Sequence, residues 1–531
     1  VRDTPARLVR HWPVWIAAAF VAVGVFLPIA YLVLCAAGAD MATLGSVVFR
    51  TRNLHLLANT LSLAAGVLLV ATLIALPLAW LTTRSDVPGR RLVTLLGVLP
   101  LAIPGYVMAY VLLAVSGRYG ALSLALGVDI PRPGGYVGAL LALSLYTFPY
   151  MFLNLRAALL GLDVSIEESA QALGLTRRQV FFRIVLPQLK PAWMAGGLLI
   201  VLHVLGDFGV VSLMRFKTFS YAIFLQYTGA FDRLYAAWLA LMLLAVTATL
   251  LLAEAKSLRT TFLARRGPGS ALPPARTRLG PWRIPVLSGL ALVALWSVVL
   301  PLGTLVYWSL RGLSSPGVSV AGALLGSVSA SAPAAVLTVV LALPVAYASA
   351  RLRIRSVQWL ERVAWMGYAI PPLALALAVI FMALSLAPGL YQTMFLLVAV
   401  YAVHFLAEAL GPLRTAFYQA NPSVEESART LGRSRIAAFL ASVLPSIRPG
   451  LVTATAFIFL SVMKELPLTY LLSPIGFQSL AVNVWSLTNE AQYALAAPHA
   501  LMIVAVSSLF VGLLLHRESN RNSDSNPDVP A

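Results

Sequence analysis

Few residues in this sequence could do chemistry, because only 11% of its 531 residues are charged. The ones set in apolar surroundings therefore stand out. Asp207 lies in Gly206-Asp207-Phe208-Gly209, and Glu465 follows Lys464 in Met463-Lys464-Glu465-Leu466. An ionisable group in a lipid-embedded stretch costs roughly 2.5–3.5 kcal/mol or more, so it marks either a passage or a compensated pair. Tyr106, Tyr110, Tyr146 and Tyr150 add phenols at a similar level. Carboxylate and phenol oxygens are hard donors suited to a hard cation. The structural alternatives stay open: Lys464 can neutralise either acid, and tyrosine also anchors membrane interfaces.

Other chemistry is missing from the sequence. There is no G-x-x-x-x-G-K-[ST] phosphate loop, no Cys/His metal spacing and no nucleophile elbow. His203 and His404 fall in apolar runs, where they read as packed helix residues rather than ligands. Cys35 is the single cysteine, so no internal disulfide can form.

A second pattern is written twice. Ser165-Ile-Glu-Glu-Ser-Ala-Gln-Ala-Leu-Gly174 returns as Ser423-Val-Glu-Glu-Ser-Ala-Arg-Thr-Leu-Gly432, and Val185-Leu186-Pro187 returns as Val443-Leu444-Pro445. The offset is 258, since 426 − 168 and 445 − 187 agree. Asp207 and Glu465 share it. Upstream, Ala75-Leu76-Pro77 and Ile103-Pro104 return as Ala342-Leu343-Pro344 and Ile370-Pro371 at an offset of 267, a longer loop around Gly117 to Gly135 absorbing the difference.

The elements that must position these residues are membrane spans. Hydrophobic residues make up 60% of the chain and mean hydropathy is +0.86. A span needs roughly 20 apolar residues, and twelve runs qualify, at approximately 14–37, 59–82, 92–115, 136–160, 192–213, 235–253, 284–310, 323–348, 361–386, 390–411, 450–472 and 495–515. The expected fold is thus an all-α membrane protein of twelve transmembrane helices. They form two parallel six-span repeats, 1–254 and 284–516, joined by a linker over 255–283 and followed by a polar tail, 517–531, expected to be disordered.

The net charge of +19 fits a membrane topology better than nucleic-acid binding. With the N-terminus inside, roughly 29 Lys and Arg fall on the cytoplasmic side and about 8 outside. Arg7, Arg10, Arg84, Arg265, Arg266, Arg351, Arg353 and Arg435 are among the inner ones. Both termini and both copies of the duplicated loop are then cytoplasmic.

Each loop reads as helix–turn–helix. Ser165 with Glu168, and Ser423 with Glu426, have capping-box spacing, as do Thr176 and Gln179. Gly174 and Gly432 stand where a helix ends in the left-handed conformation, and Leu186-Pro187 is expected to end the second helix. In the second copy position 437 is Ala, which leaves Ser434 as a cap without its box.

Glu168-Ser169-Ala170, Gly174 and Ile184-Val185-Leu186-Pro187 resemble the EAA loop of permease subunits of ATP-driven (ABC) importers, E-A-A-x3-G-x9-I-x-L-P. Glu426-Ser427-Ala428, Gly432 and Leu444-Pro445 resemble it again, with Ser442 in place of Ile. The resemblance implies type I importer permease architecture in the bacterial cytoplasmic (inner) membrane, with two permeases fused in one chain. It also implies two copies of an ABC ATPase docked on the two loops, with ATP held by those partners and no cofactor in this chain, and an extracytoplasmic substrate-binding protein. Met463-Lys464-Glu465-Leu466-Pro467 with Gly476-Phe477-Gln478-Ser479, and Leu205-Gly206-Asp207-Phe208-Gly209, look like fused ferric-iron permeases. Fused thiamine permeases share the architecture, and a secondary transporter could also carry twelve spans, although it has no use for paired EAA loops.

Overall fold

The computed structural model describes residues 12–38, 50–230, 232–259, 277–313, 319–351 and 355–524. Arg7, Arg10, Arg265, Arg266, Arg353 and the linker segment from Gly267 to Pro274 lie outside them. The described residues are helical apart from turns and one isolated bridge between Ser85 and Thr277. Among the described residues seven helices are long and apolar enough to cross a membrane, or up to twelve if each bent helix pair counts as one span.

The bends fall where the sequence weakens the helix. Arg90–Ala102 meets Gly105–Val115 at 95°, and Glu361–Ala369 meets Pro372–Leu386 at 99°. The runs expected at 92–115 and 361–386 are therefore broken, not straight. Both breaks sit at Ile-Pro: proline lacks the amide that would bond back one turn, and it drives the preceding residue out of the helical region. Pro77 and Pro344, by contrast, lie inside the long helices Thr51–Arg84 and Val320–Arg351.

Two compact units form, and each draws chain from both repeats. One comprises Val1–Val48, Ile223–Leu241 and Ser319–Asn483; the other comprises Phe49–Ala222, Met242–Val318 and Val484–Ala531. In the first, Trp12–Ala37 packs along Pro372–Leu386, while Val320–Arg351 packs on Leu406–Gln419 and Arg448–Met463. In the second, Thr51–Arg84 packs along Gly135–Leu160, Lys190–Gly206 packs on both, and Leu300–Gly312 packs along Tyr493–Asp524. Trp12–Ala37 of the first repeat thus packs on the second, and Leu300–Gly312 of the second also packs on Gly105–Val115 of the first.

Small residues let these helices approach. A Cβ on Gly97 would run into the Phe152 ring, and one on Gly24 into Val403, as expected where association rests on close packing. Hydroxyls inside the spans bond back one turn, as Thr147 does to Leu143 O and Thr338 to Ala334 O, which satisfies them within their own helix.

The junction and tail differ from expectation in detail. The helix from Arg233 continues to Arg259, and the far end of the linker is tied down: Thr277 N–H donates to Arg84 O, and Leu279 N–H to Asp86 Oδ1 at 2.8 Å. The tail expected to be disordered is helical to Asp524, as an extension of the last helix.

Candidate functional site

The duplicated loop folds the same way twice. Its first helix spans Val164–Ala172 in one copy and Pro422–Thr430 in the other. The N-caps are Asp163 and Asn421, whose side chains accept from the amides of Ser165 and Ser423 at 2.9 and 3.1 Å. The capping boxes expected at Ser165/Glu168 and Ser423/Glu426 therefore do not form. Asx residues stand two positions earlier and cap at least as well as serine, so each helix starts there. That Ser165 amide also holds the Asp163 carboxyl below its usual range.

The expected helix ends do form. Gly174 has φ +89° and Gly432 φ +83°. Leu175 N–H donates to Ala170 O and Gly174 N–H to Gln171 O; Arg433 and Gly432 repeat the pair on Ala428 and Arg429. This is a Schellman end, possible only with a left-handed residue at the glycine. Thr176 and Gln179 make a complete capping box, and Ser434 caps Ala437 alone.

The second helix of each loop is interrupted by a π-helical turn, at Phe181–Val185 and Phe439–Val443. Leu186-Pro187 does not end it. The amide of Leu186 bonds back five residues to Phe181 O, and that of Leu444 to Phe439 O. The wider turn accommodates proline, and the helix runs on to Gln188 or Ser446 before bending by 57° or 74° into the next span.

Each loop is fastened to its long helix by residues that sequence reading left unassigned. Arg84 Nη2 lies 2.9 Å from Glu167 Oε1 and also donates to Leu159 O. Arg84 is only 4% exposed, so the pair joins three helix ends in a dry site. Burial pushes the Glu167 carboxyl up, against the pull of Arg84. In the other copy Tyr347 donates to Glu425 at 2.9 Å, while Arg351 donates to Ala420 O. Rings complete both clasps, Trp80 edge-on to Phe181 at 5.0 Å and Tyr347 edge-on to Phe439 at 5.8 Å.

The opposite face is left open. Glu168, Ser169, Glu426 and Ser427 are exposed, whereas Ala170 is buried. Leu173 is 86% exposed and Leu431 84%; Ile166 and Val424, and Phe182 and Leu440, are exposed as well. Each pair shares the 258 offset. Large apolar side chains repeated on a polar loop form a patch of the kind that marks a protein partner.

The two acids inside the spans also occupy one structural position. Lys190–Gly206 stops at Asp207, whose Oδ1 accepts from Val210 and Val211 N–H at 2.9 and 3.2 Å at the start of Gly209–Leu213. Arg448–Met463 stops just before Glu465, whose two carboxylate oxygens accept from Leu468 and Thr469 N–H, both at 2.9 Å, at the start of Pro467–Leu472. Each acid caps the helix that follows its own break. Glu465 spends both oxygens this way and is 8% exposed. Asp207 spends one, is partly exposed, and turns its Oδ2 toward Gly105 beside Tyr146.

Lys464, offered by the sequence to either acid, has a further carboxylate in reach. It interacts electrostatically with Glu408, which the sequence did not single out. Of the tyrosines, Tyr146 and Tyr150 gather with His203 near Asp207, with ring centres 4.5–6.3 Å apart. Tyr106 is buried one residue beyond Gly105. Tyr110 lies elsewhere, fully buried, donating to Tyr493 O at 3.0 Å.

Comparison with known proteins agrees with this doubled architecture. Residues 74–255 and 338–518 each match the family described as binding-protein-dependent transport system inner membrane component. The Fe(3+)-transport system permease protein FbpB 2 of Haemophilus influenzae is 31% identical over 512 residues, 95% of this chain and 98% of that protein. The molybdenum transport system permease protein ModB of Escherichia coli is 38% identical over 146 residues, 26% of this chain and 64% of that protein. The sulfate transport system permease protein CysT of Salmonella typhimurium is 31% identical over 195 residues, 36% of this chain and 70% of that protein.

Proposed function

The chain belongs to the family of binding-protein-dependent transport system inner membrane components, carrying the family domain twice, and from that premise we propose that it is the fused permease of an importer that moves ferric iron inward. Membership disposes of the secondary-transporter alternative. It also makes the chain a transport subunit, not a catalyst. ATP is hydrolysed by a separate ATPase, and one copy docks on each duplicated loop. The observation that carries this is the matched set of exposed residues, Ile166, Leu173 and Phe182 against Val424, Leu431 and Leu440. Two equal patches call for two equal partners.

Iron rests on the relative that matches nearly end to end, whereas ModB of Escherichia coli and CysT of Salmonella typhimurium match over 26% and 36% of the chain. The donors available to cargo support a cation. Asp207 turns the carboxylate oxygen that does not hold the backbone amides toward Gly105 beside the Tyr146 ring, which in turn meets Tyr150 and His203, and carboxylate and phenol suit a hard ion. Glu465 is the weaker pathway residue, because both its oxygens already hold backbone amides.

Both loops and both termini are assigned to the cytoplasm. Single cysteines at Ser165 and Ser423, both exposed, should label only from that side. The function is tested by co-purifying the chain with its ATPase and measuring radio-iron uptake in proteoliposomes supplied with the binding protein and ATP. Uptake of molybdate or sulfate in place of iron would overturn the cargo. Failure of any ATPase to bind would overturn the docking role.

A further inference from the structure

Five polar side chains of the second repeat converge between three of its spans. Ser461 Oγ donates to Glu408 Oε2 at 2.5 Å, the Tyr368 hydroxyl bonds to the same carboxylate, and Lys464 interacts with it electrostatically. The Tyr368 ring stacks on His404 at 5.9 Å, and His404 Nδ1 contacts Gly367 O at 3.2 Å. In the neutral ring that leaves a lone pair on Nε2. Tyr368, Glu408, Ser461 and Lys464 are partly exposed, so the cluster is not sealed in the core.

The first repeat supplies an internal control. By the 258 offset, positions 404, 408, 461 and 464 correspond to Tyr146, Tyr150, His203 and Gly206. Tyr150 and His203 are in contact there, ring centres 4.5 Å apart, just as Glu408 and Ser461 are here. The same helix pair thus packs without a carboxylate or an ammonium. A desolvated ion pair is often no better for stability than neutral side chains of similar size. Packing therefore does not explain why the second repeat carries both charges, and an ionisable residue within a span points to the transported species.

We propose that Glu408, with Tyr368, Ser461 and His404, forms a transient station for a hard metal cation, and that Lys464 is a built-in counter-ion which occupies it between passages. Carboxylate, phenol and hydroxyl are oxygen donors of the right class, with one imidazole beside them. The lysine ammonium on its flexible stem can swing away when a more highly charged ion arrives and return when it leaves. This inference rests on the cation-import reading above.

The test uses the full chain in its complex with ATPase and binding protein. In the neutral double variant Glu408→Gln/Lys464→Met and the reversed pair Glu408→Lys/Lys464→Glu, folded protein and ATPase docking should match wild type. Radio-iron uptake per folded molecule should fall at least tenfold in both. Lys464→Met alone should retain gallium(III), a redox-inert stand-in, through washing that strips it from wild type and from the double variant. Wild-type uptake by the neutral double variant would overturn the station, and so would failure of both double variants to fold, which would make the pair structural. If the wild-type protein carries no iron, the import reading itself falls; if it does and the double variant equals it, the station alone falls.

Discussion

Replacing Gly174 by valine perturbs one backbone angle and little else. Its φ is +89°, and a Cβ placed there meets no atom within 4 Å. No side chain has to move, so the cost is conformational only. An L-residue in the left-handed region costs roughly 1–2 kcal/mol, with the β-branched side chain at the upper end. Gly432, at +83° and equally open, should cost the same. Where the loop must keep its Schellman end to bind a partner, that strain emerges as lost affinity, about 5–30-fold for each loop. The two losses should add as free energies, because each loop carries its own site. The assay is ATPase binding to detergent-purified permease, with Gly174→Asn as the companion variant, since asparagine tolerates this region better than other non-glycine residues. Span packing is untouched, so the yield of inserted protein should not change. Equal affinity for glycine, asparagine and valine at position 174 would refute the assignment of this turn to partner docking.

Three further outcomes follow from the geometry. Arg84→Met leaves Glu167 without its partner in a nearly dry site, and removing one member of a buried pair costs about 3–5 kcal/mol. Tyr347→Phe in the other loop loses one hydrogen bond to a charged group, about 1.5–3 kcal/mol, so hydrogen exchange should show the first loop loosening more. Asp207→Asn keeps an acceptor for Val210 and Val211 and should fold normally with slowed iron uptake. Glu465→Gln must turn an NH2 toward one of two amides and should instead lower the amount of folded protein; uptake measured per folded molecule separates the two, and normal uptake in Asp207→Asn would remove Asp207 from the pathway. Asp163 is held below its unfolded value of 3.8 by the Ser165 amide, so its cap is intact above that pH and weakens as pH falls through the lower, folded value. Protection of the Ser165 amide, taken relative to its intrinsic exchange rate at each pH, should fall in acid, while that of Ser423, capped by the uncharged Asn421, should not.

Much of this was legible in the residues. Apolar runs of span length, a constant 258 offset and glycines followed by a second cap give membrane helices, a duplication and a helix–turn–helix, because each depends on neighbours within a few positions. Gly174 and Gly432 were readable for that reason: a left-handed residue is a local demand. The capping-box spacing misleads because of local competition. Asp163 and Asn421 stand two residues before the serines and take the same free amides. The Ile-Pro pairs at 103–104 and 370–371 mark the repeat inside the expected spans, and proline's missing amide already foretells the breaks there.

What tertiary structure alone decided is which distant groups meet. Arg84 and Glu167 are 83 positions apart (167 − 84), and Glu408 and Lys464 are 56 apart (464 − 408). No periodicity links them, so the sequence leaves Lys464 open to either Asp207 or Glu465, and only the fold brings it within electrostatic reach of Glu408. The same holds for the acids at the broken spans. Composition marks Asp207 and Glu465 as costly in lipid, but only the fold shows that each carboxylate caps the helix after its own break. Charge in a membrane is settled by what lies within a few ångströms, and in a helical bundle those neighbours come from other helices.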